Sequence, residues 1–290
     1  MNNFFSTTIL KFILFSGVLS LFLLASCRPK PIKINVESAP EKLVIYTQLI
    51  PDKSIIVSLT HTFSVLEGVT EADIESLLVS GADVKVRFNG ETFDFQEITP
   101  GIYISYNEAY QYNQEYELTI TSGSEVVTAK TMMLPKVDFT TCLPQVDKFP
   151  TDTNVYVNVA FSDIPNVNNW YLINVYRKNG TFNPLDGLNF FQTGNNSSLT
   201  TLLVSDKEFN GTYEKKVALE NLFHNDSIAV TVSNINEKYF DYLKARSVGG
   251  GNVFTQLNLE PISYPTNVVN GYGFFNAHFP DIKLFDLGQF

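Results

Sequence analysis

Short stretches in which every second residue is apolar, broken at regular intervals by turn dipeptides, restrict this chain to half-buried β-strands. Ile55, Val57 and Leu59 alternate with Ser54, Ile56, Ser58 and Thr60, and Val84, Val86 and Phe88 alternate with Asp83, Lys85, Arg87 and Asn89. A period of two puts one set of side chains on each face of a pleated strand, so these runs have one dry and one wet face. Asn89-Gly90 then marks a two-residue hairpin, because a type I′ turn needs positive φ at both central positions, and Phe93 and Phe95 continue the returning strand. Pro100-Gly101 precedes a strand from Ile102 to Tyr106. Tyr116, Leu118 and Ile120 alternate with Glu115, Glu117, Thr119 and Thr121 before Ser122-Gly123 turns the chain into Val126 to Thr131.

About seven such strands predict an immunoglobulin-like β-sandwich over residues 41–136. Tyr116 stands two residues before Leu118, where a tyrosine corner would sit, or is a plain strand tyrosine. The proline-punctuated stretch Leu134 to Pro150 reads as a join. A second β-rich domain, 137–290, is expected from Val155 to Phe161, Trp170 to Arg177, Tyr213 to Leu219 and Ile228 to Val232, with a turn at Lys178-Asn179-Gly180. One short helix is predicted from Glu237 to Ser247, with Tyr239, Phe240 and Leu243 on one face and Gly249-Gly250-Gly251 ending it; it is expected to close one end of the second sheet. The fold class is therefore mainly all-β.

The N-terminus carries a different message. Met1 to Lys11 holds one basic residue and no acid, and the apolar run Phe12 to Leu24 has the length of a secretion signal, short of the roughly 20 residues a spanning helix needs. Leu24-Ala25-Ser26-Cys27 matches the lipobox of bacterial lipoproteins, in which the cysteine thiol is acylated and the chain is cut before it. Residues 1–26 are then a signal peptide and 27–40 a lipidated tether with Pro29, Pro31 and Pro40. Covalent diacylglycerol and an acyl chain on Cys27 would supply more than the two chains that stable anchoring requires. No other cofactor is expected.

The 264 residues after the cut carry 19 basic against 30 acidic side chains, a formal charge of −11, which argues against nucleic acid or anionic lipid as the body's partners. With Cys27 acylated, Cys142 has nothing to pair with and reads as a small hydrophobe. His61, His224 and His278 lack metal-ligand spacing, and Asp152, Asp163 and Asp186 lack the loop of an EF-hand. Asn267, Asn270, Gly271 and Gly273 either line a site, because two glycines let a backbone approach a ligand closely, or permit a tight turn or bulge between strands. Tyr103, Tyr106, Tyr110 and Tyr112 form an aromatic-dense segment whose mixed parity turns some rings outward, a candidate binding face for a glycan or peptide.

The chain resembles a family of Bacteroidota outer-membrane lipoproteins described as a domain of unknown function, whose members are commonly encoded beside TonB-dependent receptors. The likeness lies in the lipobox, in Leu43-Val44-Ile45-Tyr46, Ala82-Asp83-Val84-Lys85-Val86, Pro100-Gly101-Ile102-Tyr103 and Tyr116-Glu117-Leu118, in Trp170-Tyr171-Leu172-Ile173-Asn174-Val175-Tyr176, and in the segment from Pro265 to Phe275. Val268 stands where the family usually has Ile. The resemblance implies an outer-membrane address, a receptor or other envelope partner and no known catalytic residue. Arg28-Pro29-Lys30-Pro31-Ile32-Lys33 stands where surface-exported lipoproteins of that phylum carry acids, so both faces of the membrane stay open.

Overall fold

In the computed structural model the described residues are 41–49, 55–62, 75–106, 111–148, 153–178, 198–209, 211–220, 222–223, 225–249 and 264–290. The leader, Cys27, Tyr110, Asp152, Asp186, His224 and the turn at Asn179-Gly180 lie outside them. Among the described residues the strands are β1 (Leu43–Leu49), β2 (Ile55–His61), β3 (Asp83–Phe88), β4 (Glu91–Asp94), β5 (Gln96–Thr99), β6 (Ile102–Ser105), β7 (Gln114–Ser122), β8 (Glu125–Met133), β9 (Phe139–Lys148) and β10 (Thr153–Ser162). They continue as β11 (Trp170–Lys178), β12 (Ser198–Ser205), β13 (Thr212–Leu219), β14 (Ser227–Ile235), β15 (Val268–Val269), β16 (Tyr272–Ala277) and β17 (Asp281–Asp286), with one α-helix, α1 (Glu237–Gly249). Among the described residues the fold is all-β with a single α-helix.

The alternating runs bury the faces that their periodicity selects. Leu43, Ile45, Val57 and Leu59 from the sheet β16-β1-β2-β6-β5 meet Val84, Val86, Leu118, Ile120 and Val127 from the sheet β15-β8-β7-β3-β4 in one core. Each such side chain taken fully out of water contributes roughly 1.5–3 kcal/mol, which holds the two sheets face to face. Asn89 and Gly90 adopt φ of 49° and 82° between Phe88 and Glu91, which pair, as the hairpin signal predicts.

Two strands of this sandwich come from the far end of the chain. β15 pairs antiparallel with β8, Val268 opposite Ala129, and β16 pairs parallel with β1, from Val44 opposite Tyr272 to Leu49 opposite Ala277. Between them the chain crosses from one sheet to the other. Asn267 fastens the crossing: its Nδ2 donates to the carbonyls of Lys130 on β8 and Phe275 on β16, both at 2.7 Å, and its Oδ1 accepts from the Phe275 N–H at 3.0 Å. Gly273 has a φ of +100°, and a Cβ there would run into the carbonyl of Ile45, so the parallel strand lies flat on β1 only without a side chain. These contacts correct the expected division into 41–136 and 137–290. Residues 268–277 complete the first sandwich, because β1 and β8 would otherwise be open edges beside a dry core.

The second sandwich pairs β13-β10-β9 with β12-β11-β14-β17 around Val155, Val157, Phe161, Ile173, Val175, Val230 and Val232. The expected join at Leu134 to Pro150 is largely strand β9. Pro144 fits there because β9 is an edge and needs no ladder donor on its outer side. β12 has no clean alternation, since Leu202 and Val204 pack on the second core while Leu203 turns toward α1. The helix runs two residues past its expected end. Its Tyr239, Phe240 and Tyr242 bury against Leu172 and Ile235 of the second sandwich and Phe274 of the first, so it bridges the two sandwiches. It lies on the outer face of β11, opposite Tyr171 and Ile173, instead of closing an end of the sheet as expected. Among the described residues no helix is long and apolar enough to cross a membrane.

Gly273→Ala is expected to destabilise the protein by about 3 kcal/mol or more, because strain at positive φ and a backbone clash add. Gly123→Ala, at a φ of +58° with nothing within 4 Å of its added Cβ, should cost only about 1 kcal/mol. Urea unfolding of the two variants checks this; equal losses would mean that the close approach to β1 carries no weight.

Candidate functional site

The four tyrosines expected to form a face divide by the parity of their strands. Tyr103 pairs with Val57 and points into the first core, where it is 1% exposed. Its hydroxyl donates to the Val79 carbonyl at 2.7 Å and accepts from the Ala82 N–H at 3.0 Å, fixing the segment that leads into β3. Tyr103 is therefore removed from the binding face. Tyr116 is likewise buried, stacks on Phe88 at 4.4 Å, and accepts the Gln111 N–H five residues upstream at 3.0 Å, the geometry of a tyrosine corner. Burial pushes its hydroxyl above the ordinary tyrosine range. Tyr171 repeats the arrangement in the second sandwich, donating to Asp163 Oδ1 at 2.5 Å and accepting from the Ile164 N–H at 3.2 Å.

Tyr106 and Tyr112 remain outside, 78% and 42% exposed. Both lie at the same end of the first sandwich. Ser105, just before Tyr106, pairs with Ile55, and the Asn113 N–H, just after Tyr112, donates to the Met133 carbonyl. The ring of Tyr112 stands 6.0 Å from that of Phe279, over which Lys136 Nζ lies at 5.4 Å. Lys136 also pairs with Asp138 and, at 3.6 Å, with Asp281. Burial opposes ionisation of Asp281, yet the Phe139 N–H, Lys283 and Lys136 outweigh it and hold the carboxyl below its usual range. The arrangement presents aromatic area with polar tips beside a fixed ion-pair cluster, which suits recognition by contact. No sequence signal marks Phe279, Lys136 and Asp281, because the topology alone brings them beside Tyr112.

Other sequence candidates serve the scaffold. Asn267 and Gly273 hold the crossing, and Asn270 Nδ2 donates to the Val126 carbonyl at 3.3 Å. His278 is 3% exposed, with Nδ1 2.9 Å from Asn276 Nδ2, and burial lowers its pKa to about 4, so the ring is neutral at pH 7. His61 ends β2, half-buried. Cys142 is a half-buried free thiol against the second core, pushed up to about 12 by burial and then by Asp281, hence protonated at neutral pH. Asp163 lines a polar cleft of about 750 Å³ with Asn166, Asp206 and Glu208. No group of three or more His, Cys, Asp or Glu side chains among the described residues is placed to hold a metal ion.

A family model described as a domain of unknown function (DUF4249) matches residues 29–279. That span takes in the first sandwich through the strand that closes it, and all of the second except β17. Comparison with curated proteins gives no match.

The depressed pKa of His278 makes stability depend on pH. Between its ordinary 6.5 and about 4 the unfolded chain binds the proton and the folded chain does not, so this contribution is full above pH 6.5 and is lost as pH falls toward 4. The shift corresponds to about 3 kcal/mol. Unfolding free energies of the wild type and His278→Gln, measured from pH 7 to 4, are expected to converge by that amount; parallel curves would contradict it.

Proposed function

The chain belongs to the family described as a domain of unknown function (DUF4249), and on that premise we propose that it is a noncatalytic, lipid-anchored outer-membrane protein that works by contact. Its partner is a TonB-dependent receptor or another envelope assembly, the class implied by the resemblance noted from the sequence. The observation that carries the reading is Leu24-Ala25-Ser26-Cys27 behind a signal-length apolar run, which supports acylation of Cys27 and an address outside the cytoplasm. Exposed Tyr112, next to Phe279 and the Lys136–Asp281 pair, and exposed Tyr106 at the same end of the first sandwich supply the contact chemistry. The same exposed rings favour a second reading, capture of a glycan or peptide by a binding lipoprotein.

Growth with an alkyne palmitate should label the full chain and leave Cys27→Ser unlabelled and released from the membrane. A photo-cross-linking residue at Tyr106 or Tyr112 should then yield one reproducible adduct with an envelope protein in intact cells. An unlabelled wild type ends the anchored reading. Labelled protein that forms no adduct from either position, and whose purified body binds glycans or peptides through these rings, would replace the first reading with the second.

A further inference from the structure

The two ends of the first sandwich are chemically unlike. Tyr106 and Tyr112 occupy one. At the other, where the chain enters at Glu41 and Lys42, three apolar side chains stand in the open: Val126 at 48%, Val269 at 57% and Tyr272 at 49% exposed. Val269 pairs with Thr128, so Val126, two residues along the same strand, shares its outward face. Tyr272 opens β16 opposite Val44 on the far side of the crossing, with Lys42 Nζ 5.3 Å from its ring centroid.

Among the described residues nothing covers these three side chains, and the length of the tether limits what they can meet. Only 13 residues, 28–40, separate Cys27 from Glu41. Fully stretched they span about 45 Å, and any less extended path brings the body closer. An acyl-anchored chain therefore keeps this end within reach of the bilayer and raises the local concentration of headgroups, so that a weak contact suffices. Tyrosine and a flanking lysine are the pair that settles at the level of headgroups, with the ring at the apolar boundary and the ammonium in water. Exposed Glu41 and Glu125 at the same end disfavour a strongly anionic surface.

We infer that Val126, Val269 and Tyr272 form a membrane-resting surface that seats the first sandwich on the headgroup layer of the anchoring bilayer and points Tyr106 and Tyr112 away from it. The inference rests on the lipid anchor proposed above.

The test separates the two. The mature chain from Cys27, carrying Cys142→Ser and Trp170→Phe, is coupled through Cys27 to a maleimide lipid, which places it on vesicles whether or not cells acylate it. The vesicles are phosphatidylethanolamine with a minor share of phosphatidylglycerol and brominated acyl chains. A single tryptophan is placed by Tyr272→Trp, Val269→Trp or Tyr106→Trp, with circular dichroism of each variant as the check on folding. Emission at 272 and 269 is expected to shift to the blue and be quenched by bromine on coupling, while that at 106 stays unchanged. Equal emission at all three positions, or quenching only at 106, overturns the surface. Absence of palmitate labelling in cells counts against the anchor instead.

Discussion

The parallel ladder between β1 and β16, fastened by Asn267, is the contact on which the rest of the molecule depends. Without it β1 is a bare edge beside a dry core, and the strand that follows the crossing has no partner. Such a contact joins residues more than 200 positions apart, from Val44 to Tyr272. The entropic cost of closing so long a loop grows only logarithmically with its length, so a well-fastened strand can offset it. The fastening is dense: three hydrogen bonds from one side chain and a glycine that lets two backbones touch.

The same pairing interlaces the two sandwiches. The chain builds most of the first, then β9 to β14 of the second, returns for β15 and β16, and leaves again to add β17 beside β14. Two returns of the chain and the aromatic layer of α1, with Phe274 on one side and Leu172 on the other, bind the bodies together. A hinge between them would have to break this layer. Rigid presentation of the Tyr106 and Tyr112 end follows, and rigid aromatic groups lose little entropy when a partner covers them.

What could be read along the chain was whatever depends on neighbours two residues apart or on a turn. The strands β1 to β4 and β6 to β8 were legible for that reason, as were the Asn89-Gly90 hairpin, the helix and the alternative of a corner at Tyr116, whereas β5, exposed along its whole length, shows no alternation. β9 was hidden because Pro144 reads as a breaker unless the strand is known to be an edge, and β12 because Leu202, Leu203 and Val204 serve two cores at once. The role of the segment at 265–275 was legible only as a pair of alternatives, a site or a tight turn or bulge, and its crossing between sheets was not. Choosing between them requires knowing that Lys130 and Phe275 are its partners, which no local pattern encodes. The tyrosine face was half legible: the cluster was visible, but the inward turn of Tyr103 follows from its register with Val57.

Native-state hydrogen exchange under increasing urea reads this dependence directly, because each amide reports the free energy at which its own hydrogen bond opens. If β16 closes the first sandwich, the amides of Val44 to Leu49 and of Gly273 to Ala277 must merge into one opening event, with those of β8 beside them. Exchange of the β16 amides at low free energy while β1 and β8 stay protected would mean that the sandwich stands without its returning strand.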